Sequence, residues 1–255
     1  MRVKMEQERG CNPLQIQCDL ENKVKGSLKG MDCPECLNKG YSLKVVKGEM
    51  VTVNCSCMKQ RASIKRIAES GLEGAIDKLT FDSYIAKEEW QKSTKSCAEK
   101  YSQEGNGAWF FIGGQSGSGK THLCTAIAGK LLRDGKSLKY MRWRDEATRL
   151  KSLVNDSAYS TLIDECKTVD VLYIDDFLKT QRGQQPTSAD VNLAFEILNY
   201  RYSSQKATII SSERSSNEII YIDEALGSRI VELSKEYCVN IKNDRSRNYR
   251  ITQTI

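Results

Sequence analysis

The chain has 255 residues, 28% of them charged, with 39 Lys and Arg against 33 Asp and Glu. This length accommodates one domain of ordinary size plus a smaller module, and a formal charge of +6 does not by itself indicate nucleic-acid binding. No apolar run approaches the roughly 18 residues of a membrane span, so we expect a cytoplasmic protein with no membrane partner. Its ten cysteines would stay reduced there, which makes metal binding the first role to consider.

Residues 1–30 carry only weak apolar periodicity through Leu14, Ile16 and Leu20. This pattern favours a solvated, poorly ordered leader over a short helix that contacts a partner. Cys11 and Cys18 lie in this segment, and we assign them no role beyond that of reserve metal ligands.

Two close cysteine pairs follow, Cys33 with Cys36 and Cys55 with Cys57. Between them, residues 41–46 and 50–53 alternate in the manner of a β-hairpin. A ribbon with a thiol pair at each end can present four sulfurs tetrahedrally, which is the arrangement that a structural Zn²⁺ prefers. A redox C-x-x-C motif and isolated thiols remain alternatives, although no βαβ pattern surrounds the pair. We therefore predict a zinc-ribbon-like module.

Residues 58–70 predict a basic amphipathic helix, which could contact phosphates or an acidic partner or could simply present a solvated face. Residues 79–84 then lead into a helix with an apolar stripe through Trp90, Thr94, Cys97 and Tyr101. From these changes in composition we predict a zinc-binding module over 1–75, a linker helix over 76–107 and a larger domain over 108–255.

A phosphate-binding loop begins this last domain. Its pattern, G-x-x-x-x-G-K-[ST], is formed by Gly114, Gln115, Ser116, Gly117, Ser118, Gly119, Lys120 and Thr121. A buried strand predicted over 108–112 precedes the loop, and a helix with Leu123, Ile127 and Leu131 on its inner face follows it. Backbone N–H groups of such a loop surround a triphosphate, the lysine reaches the outer phosphates, and the Thr121 hydroxyl can ligate Mg²⁺.

A second nucleotide motif follows further along. A strand is predicted over 137–143, and a helix over 145–154 has Arg142, Arg144, Arg149 and Lys151 around it. The apolar strand predicted over 169–176 ends in two carboxylates, as a Walker B motif does. Asp175 is expected to hold Mg²⁺ and Asp176 to orient the attacking water.

The remaining elements complete an α/β pattern. Thr187 or Ser188 can cap a helix that continues to about residue 203. Its predicted inner face is formed by Val191, Ala194, Phe195, Leu198 and Tyr202. Two more strands are predicted over 207–211 and 237–241. The sequence therefore predicts a five-stranded parallel sheet flanked by helices, with a nucleotide at the carboxyl ends of the strands.

Together these motifs resemble the DnaC and DnaI type of helicase loader in the AAA+ class, including the variants of phages and mobile elements. The resemblance extends over residues 30–255 and includes the cysteine module with its basic helix, residues 80–81, both nucleotide motifs and four later segments, residues 195–202, 209–214, 227–230 and 248–250. It implies that the module over 1–75 contacts a helicase and that residues 108–255 form the AAA+ ATPase domain. It implies an AAA+ ATPase that uses ATP, Mg²⁺ and Zn²⁺. It further implies a head-to-tail homo-oligomer that loads a replicative DNA helicase on single-stranded DNA.

The resemblance also suggests roles for individual residues. Arg229 is similar in position to the arginine finger that reaches a neighbouring subunit's γ-phosphate, and Arg250 to the second sensor of the subunit's own nucleotide. The family usually has a polar Asn as the first sensor, whereas this chain has Glu213. A carboxylate close to a γ-phosphate would be repelled unless it were paired, so Ser212 is expected to supply the hydrogen bond and hydrolysis to be slow.

Two other functions fit the same ATPase core. One is a transposition-helper ATPase that binds duplex DNA and a transposase. The other is a binding module whose ATPase is vestigial, as the carboxylate of Glu213 would allow. Zinc content distinguishes the first from a loader, and phosphate release compared with Lys120→Ala tests the second.

Overall fold

The computed structural model describes residues 12–69, 74–181 and 183–252. Two compact units divide the chain, the first ending at Ala62 and the second beginning at Ser63. This division differs from the predicted boundaries because residues 76–107 belong to the second unit. There, the Tyr101 ring packs 5.5 Å from that of Phe110 and 5.2 Å from that of Tyr237.

The first unit combines a helix with a β-hairpin. It contains α1 (Pro13–Asn22), β1 (Tyr41–Val46), β2 (Glu49–Asn54) and the start of α2 (Cys57–Glu69). The strands pair antiparallel. Lys47 and Gly48 form the turn between the strands and have φ values of 52° and 84°. Positive φ at both central residues is typical of the tight turn that suits hairpin twist. The predicted hairpin and basic helix are therefore confirmed.

The expectation of a poorly ordered leader is wrong for α1. Asn12 caps this helix by accepting a hydrogen bond from the Leu14 N–H at 3.1 Å, and Pro13 occupies its first turn. Both features favour helix initiation. Cys18 is buried on α1, whereas Cys11 lies outside the described residues.

The second unit alternates helices and strands. Its strands are β3 (Trp109–Gly113), β4 (Leu138–Arg142), β5 (Val171–Asp175), β6 (Ala207–Ser212) and β7 (Cys238–Asn240). Its helices are α3 (Ala75–Lys78), α4 (Glu89–Glu104), α5 (Lys120–Arg133), α6 (Trp143–Ser152), α7 (Ser157–Thr168), α8 (Ser188–Ser203), α9 (Ser216–Ile222), α10 (Glu224–Ser234) and α11 (Tyr249–Thr252). Short 3-10 turns lie at Lys235–Tyr237 and Arg245–Arg247.

The five strands form one parallel sheet in the order β4-β5-β6-β3-β7, as predicted. Every residue of β3 and β5 is buried, which is typical of a parallel sheet covered on both faces. Trp109 and Phe111 face a core built with α6, α7, α8 and α10, while Phe110 and Ile112 face a core built with α4 and α5. Because β6 lies between β3 and β5, the carboxyl ends of these three strands are neighbours.

Several details differ from the sequence prediction, which also contains no counterpart of α9 and α10. The buried face of α8 is formed by Leu193, Ala194, Ile197, Leu198 and Arg201, whereas Val191, Phe195 and Tyr202 are half-buried. The face is rotated because α8 packs against both α7 and α10. Helix α7 was missed altogether, although Asp156 caps it by accepting from the Ala158 N–H. Within the described chain, no helix is both long and apolar enough to cross a membrane.

Candidate nucleotide site

The loop between β3 and α5 has the conformation of a phosphate cradle. Gly114, Gly117 and Gly119 have φ values of 133°, 77° and 86°, which L side chains rarely adopt. At Gly117 a Cβ atom would also lie 2.1 Å from Oδ1 of Asn248. Glycine is therefore required here both by backbone conformation and by close packing, and the loop leads directly into the N-terminus of α5, where anions bind favourably.

Lys120 occupies the centre of this loop. Its Nζ donates to the carbonyl oxygens of Gly114 and Gln115, each at 2.7 Å, and the residue is buried. Burial lowers the pKa of Lys120, against the negative charges of Glu213 and Asp176, which act to raise it. An incoming phosphate would compensate the burial of this ammonium group, so the site fits an anion.

Asp175, at the end of β5, is held by three hydroxyl groups. Thr121 Oγ1 donates to its Oδ1 at 3.2 Å, Ser211 Oγ donates to the same oxygen, and Tyr140 OH donates to Oδ2 at 3.1 Å. Burial and the Asp175 charge raise the pKa of the Tyr140 phenol, so it remains a donor. Thr121 and Asp175 thus present adjacent oxygen ligands of the kind that Mg²⁺ prefers.

Asp176 begins a turn with a left-handed backbone conformation, φ 55°. The Ser211 hydroxyl accepts a hydrogen bond from its N–H at 3.1 Å. Its carboxylate accepts from Lys179 Nζ at 2.8 Å, and the same ammonium lies 3.1 Å from Oε1 of Glu213. The unusual carboxylate at the expected sensor position is therefore paired within the chain.

Lys120, Thr121, Asp176, Lys179 and Glu213 line one cavity of about 480 Å³, enough for a nucleotide. Its walls also include Leu79, Tyr84, Ile85 and His122, away from the acidic residues. His122 Nε2 lies 2.9 Å from the Thr80 carbonyl oxygen, so this nitrogen carries the proton. The Tyr84 and His122 rings meet edge to face at 5.1 Å.

The C-terminal segment closes over the phosphate loop. Gln115 Nε2 donates to the Asp244 carbonyl at 2.6 Å, and the Tyr249 N–H donates to the Gly117 carbonyl at 2.9 Å. Arg250 lines the cavity, with one guanidinium nitrogen 3.4 Å from Ser116 Oγ. The structure thus brings Arg250 to the cavity, where a nucleotide sensor would have to lie.

Two predicted catalytic residues lie away from the cavity lining. Ser212 is fully buried and donates to the Phe177 carbonyl at 2.9 Å. Arg229, on α10, donates to Asn199 Oδ1 at 3.1 Å and lies over the Phe195 ring. Their roles in hydrolysis stay predictions.

The first unit contains a separate centre of four thiols. Sγ atoms of Cys33 and Cys55 are 3.7 Å apart, those of Cys36 and Cys57 are 3.6 Å apart, and all four lie within 4.8 Å of one another. Four sulfurs bound 2.3 Å from a tetrahedral Zn²⁺ would be about 3.8 Å apart. The donor set and spacing therefore fit zinc.

The environment of these thiols also suits a bound cation. Burial acts to raise the pKa of Cys36, but the Gly40 N–H, 3.3 Å from its sulfur, and the neighbouring thiols lower it to about 6. Burial raises the pKa of Cys57. A dication bound by all four sulfurs would favour the thiolate form of each.

The fold and the nucleotide site define a P-loop ATPase of the AAA+ class. The profile described as the Bacterial DnaA ATPase domain matches residues 76–233, and the chain belongs to that family.

The relatives include a protein of a phage-like element and a replicative helicase loader. The chain is 35% identical over 210 residues to YqaM of Bacillus subtilis strain 168, covering 77% of this chain and 66% of that protein. It is 32% identical over 249 residues to the phage-like element PBSX protein XkdC of the same strain, covering 93% and 91%. It is 28% identical over 179 residues to the replicative helicase loader DnaC of Escherichia coli K12, covering 69% of each.

Two solved structures share the fold. The DnaC helicase loader matches with a TM-score of 0.57 and 23% identity, over 66% of this chain and 99% of that chain. The replication initiator DnaA bound to AMPPCP and single-stranded DNA matches with a TM-score of 0.55 and 23% identity, over 69% and 54%. The chain is thus a DnaC-like AAA+ protein, and its family supports ATP binding, ATPase activity in general and a role related to DNA replication.

Sequence reasoning missed several residues of the site. Tyr140 and Ser211 hold Asp175, and Lys179 pairs with Asp176 and Glu213. The departure at Glu213 indicated that its carboxylate must be paired or turned away, but nothing along the chain identified Lys179 as its partner.

Proposed function

We propose that this protein is an ATP-dependent loader or remodeller of a replicative DNA helicase on single-stranded DNA. The observation that carries the proposal is that one cavity gathers Lys120 with Thr121, Asp176 and Arg250 from three separate parts of the chain. A switch needs a site that distinguishes ATP from ADP, and these groups surround one volume. The similarity to the replicative helicase loader DnaC supports helicase loading among the functions of this fold.

The residues of the site have distinct proposed tasks. The loop N–H groups and Lys120 bind the phosphates, for which Lys120 exchanges its bonds to two loop carbonyls. Thr121 and Asp175 would hold Mg²⁺, which supplies charge neutralisation to the phosphates when bound. Asp176 orients the attacking water, while Arg250 senses the nucleotide of its own subunit.

Two tasks depend on movement or assembly. Ser212, as a hydrogen-bond donor to the γ-phosphate, would first have to release the Phe177 carbonyl. Arg229 would act on the nucleotide of a neighbouring subunit in a head-to-tail homo-oligomer. Arg229 is half-buried on α10, and its guanidinium lies 5.0 Å and 5.3 Å from the centres of two aromatic rings of α8, those of Phe195 and Tyr202.

Single-stranded DNA is proposed to contact the basic face of α6. Here Arg142 lies 3.3 Å from Asp145, Arg149 lies 3.8 Å from Glu146, and Lys151 contacts Asp190. These pairs reduce the positive charge of the face. Phosphates would have to compete with the carboxylates, so we expect DNA affinity to be modest and to fall steeply with salt.

The zinc module is proposed to bind the helicase. Its four thiols and hairpin form a small unit whose apolar core is formed mainly by cysteines. A bound metal would make such a unit rigid enough to present a defined surface. Co-purification with a replicative helicase in the presence of ATP, repeated after deletion of residues 1–75, tests this assignment directly.

Hydrolysis itself is tested by phosphate release with and without single-stranded DNA. We expect slow release that DNA or helicase stimulates, and loss of most of that activity in Lys120→Ala, since the lysine contacts the transferred group. Lys130→Ala is the matched control, because Lys130 lies on the same helix and pairs only with nearby Asp134 among described residues. Equal rates of phosphate release for wild type and Lys120→Ala would contradict the proposed ATPase activity. Stimulation by duplex DNA and a transposase, but not by helicase, would favour the transposition-helper function instead.

A further inference from the structure

Lys179 is placed at the centre of the acidic side of the cavity. Its ammonium lies 2.8 Å from Oδ2 of Asp176 and 3.1 Å from Oε1 of Glu213, and all three residues line the cavity together with Lys120. Two carboxylates therefore share one cation at the wall where the Walker B strand ends.

The position of Lys179 is fixed by the turn that precedes it. Asp176 and Leu178 both have positive φ, 55° and 53°, and the Lys179 N–H donates to the Asp176 carbonyl at 3.0 Å. The end of β6 holds this turn from the other side. There the Phe177 N–H donates to the Ser211 carbonyl at 2.8 Å, and Ser212 Oγ donates to the Phe177 carbonyl. Non-glycine residues keep such conformations only when the surroundings impose them, so the turn is built rather than incidental.

The turn places the positive charge of Lys179 beside the carboxylate of Glu213. Glu213 occupies the place where a neutral polar sensor is expected, and an unpaired carboxylate there would repel a γ-phosphate. Paired with Lys179, it instead holds an ammonium at the same wall. An ammonium has three donors, and the two ion pairs found in the described part of the chain use two of them.

We propose that Lys179 and Glu213 together form the γ-phosphate sensor of this protein. Lys179 binds the phosphate as a donor, and Glu213 is a positioning residue that orients the ammonium. This inference rests on the proposed ATPase function. It accounts for the carboxylate at the sensor position and also for Ser212, whose hydroxyl is engaged within the turn.

The test compares nucleotides that differ in the γ-phosphate. Calorimetry with Mg²⁺ gives the Kd values of AMPPCP and ADP for wild type and for Lys179→Ala. We expect Lys179→Ala to weaken AMPPCP binding by about tenfold or more and ADP binding by less than about threefold, because only AMPPCP meets the unpaired Glu213 carboxylate and the missing donor. Equal weakening of both nucleotides, or no weakening, would overturn the proposal.

Rescue separates sensing from a structural role. The double variant Lys179→Ala with Glu213→Asn removes the repulsion and supplies an amide donor, so it should recover most of the lost AMPPCP affinity. A double variant that binds AMPPCP no better than the single one rejects the role of Glu213. Lys167→Ala is the matched control: it breaks a 2.7 Å ion pair with Glu196 on α7 and α8, and both Kd values should stay unchanged.

Nucleotide binding by wild type and by the variants also separates misfolding, failure of the ATPase function and failure of the sensor assignment. Retained ADP binding shows that a variant is folded, and Lys179→Gln replaces Lys179→Ala if the latter does not fold. If wild type binds neither nucleotide, the proposed ATPase function fails. If wild type binds both nucleotides and Lys179→Ala leaves the ratio of the AMPPCP and ADP Kd values unchanged, only the sensor assignment fails.

Discussion

Arg201 is a fully buried charged residue on α8 that takes no part in the nucleotide site. Its Nη1 donates at 3.0 Å to the carbonyls of Cys166, Lys167 and Val169, and its Nε donates to Thr208 Oγ1. Burial lowers the pKa of Arg201 to about 10, so the guanidinium stays charged at neutral pH. It thereby provides donors for carbonyls at the end of α7 and at the entry to β5, the strand that ends at Asp175.

Replacing this residue by Arg201→Met should cost roughly 2–5 kcal/mol of unfolding free energy, because several buried carbonyls lose their donor. Arg201→Lys keeps the charge with fewer donors and should lose less. Urea unfolding followed by circular dichroism measures both. Arg149→Met is the control, since its ion pair is exposed, and should stay within about 0.5 kcal/mol of wild type. A loss below that limit for Arg201→Met would contradict this account.

The sites also differ in how far residues could be identified from the sequence. The phosphate loop and the two carboxylates were found because each is contiguous and follows a buried strand. Tyr140 and Ser211 belong to β4 and β6, the two neighbours of β5, and their proximity to Asp175 depends on the order of strands in the sheet. The order of the strands cannot be deduced from one sequence, so the contacts of these residues with Asp175 and Asp176 could not be predicted.

Among the elements, the hairpin with its thiol pairs is the part whose stability depends most on a ligand. β1 and β2 have mostly exposed side chains, with no fully buried residue in either strand. A two-stranded ribbon of this kind is marginal in water without further support. Zinc bound by the four thiols would supply that support.

We therefore expect Cys33→Ser to release most of the zinc and to abolish hydrogen-exchange protection over residues 41–54. The thermal transition of the second unit should be unchanged, because its core is separate. Atomic emission gives the metal content, and hydrogen exchange with mass spectrometry locates the loss. Cys97→Ser should behave as wild type, since Cys97 lies on α4 outside the thiol cluster. Full zinc retention in Cys33→Ser would exclude it as a ligand.

Strand and helix patterns of the second unit were predictable where one signal dominated. β3, α5 and β5 are long apolar or strongly periodic segments flanked by recognisable turns. Helix α1 was missed because its apolar periodicity is weak, although Asn12 and Pro13 are a proper start signal. The inner face of α8 was misjudged because apolar residues lie on several of its faces, and tertiary packing chose among them.

At the scale of the whole molecule, the chain contains a nucleotide cavity and, outside the lining of that cavity, the guanidinium of Arg229. Arg229 is held by Asn199 and Ala225, and its guanidinium lies 5.0 Å from the centre of the Phe195 ring. The proposed role of Arg229 is therefore to contact the nucleotide of a second copy rather than that of its own cavity. An arrangement in which each subunit completes the site of the next is head to tail by construction.

This arrangement predicts complementation between two inactive proteins. Arg229→Ala should keep its nucleotide affinity within about threefold yet lose most stimulated hydrolysis, because a trans-acting arginine contributes mainly to the transition state. Lys120→Ala should lose nucleotide binding but retain its own Arg229. In an equimolar mixture, about a quarter of the interfaces pair an intact nucleotide site with an intact arginine, so phosphate release should recover toward that fraction. The double variant mixed with Arg229→Ala supplies no such interface and is the control. Recovery absent from the first mixture, or a large loss of nucleotide affinity in Arg229→Ala alone, would mean that this arginine acts within its own subunit.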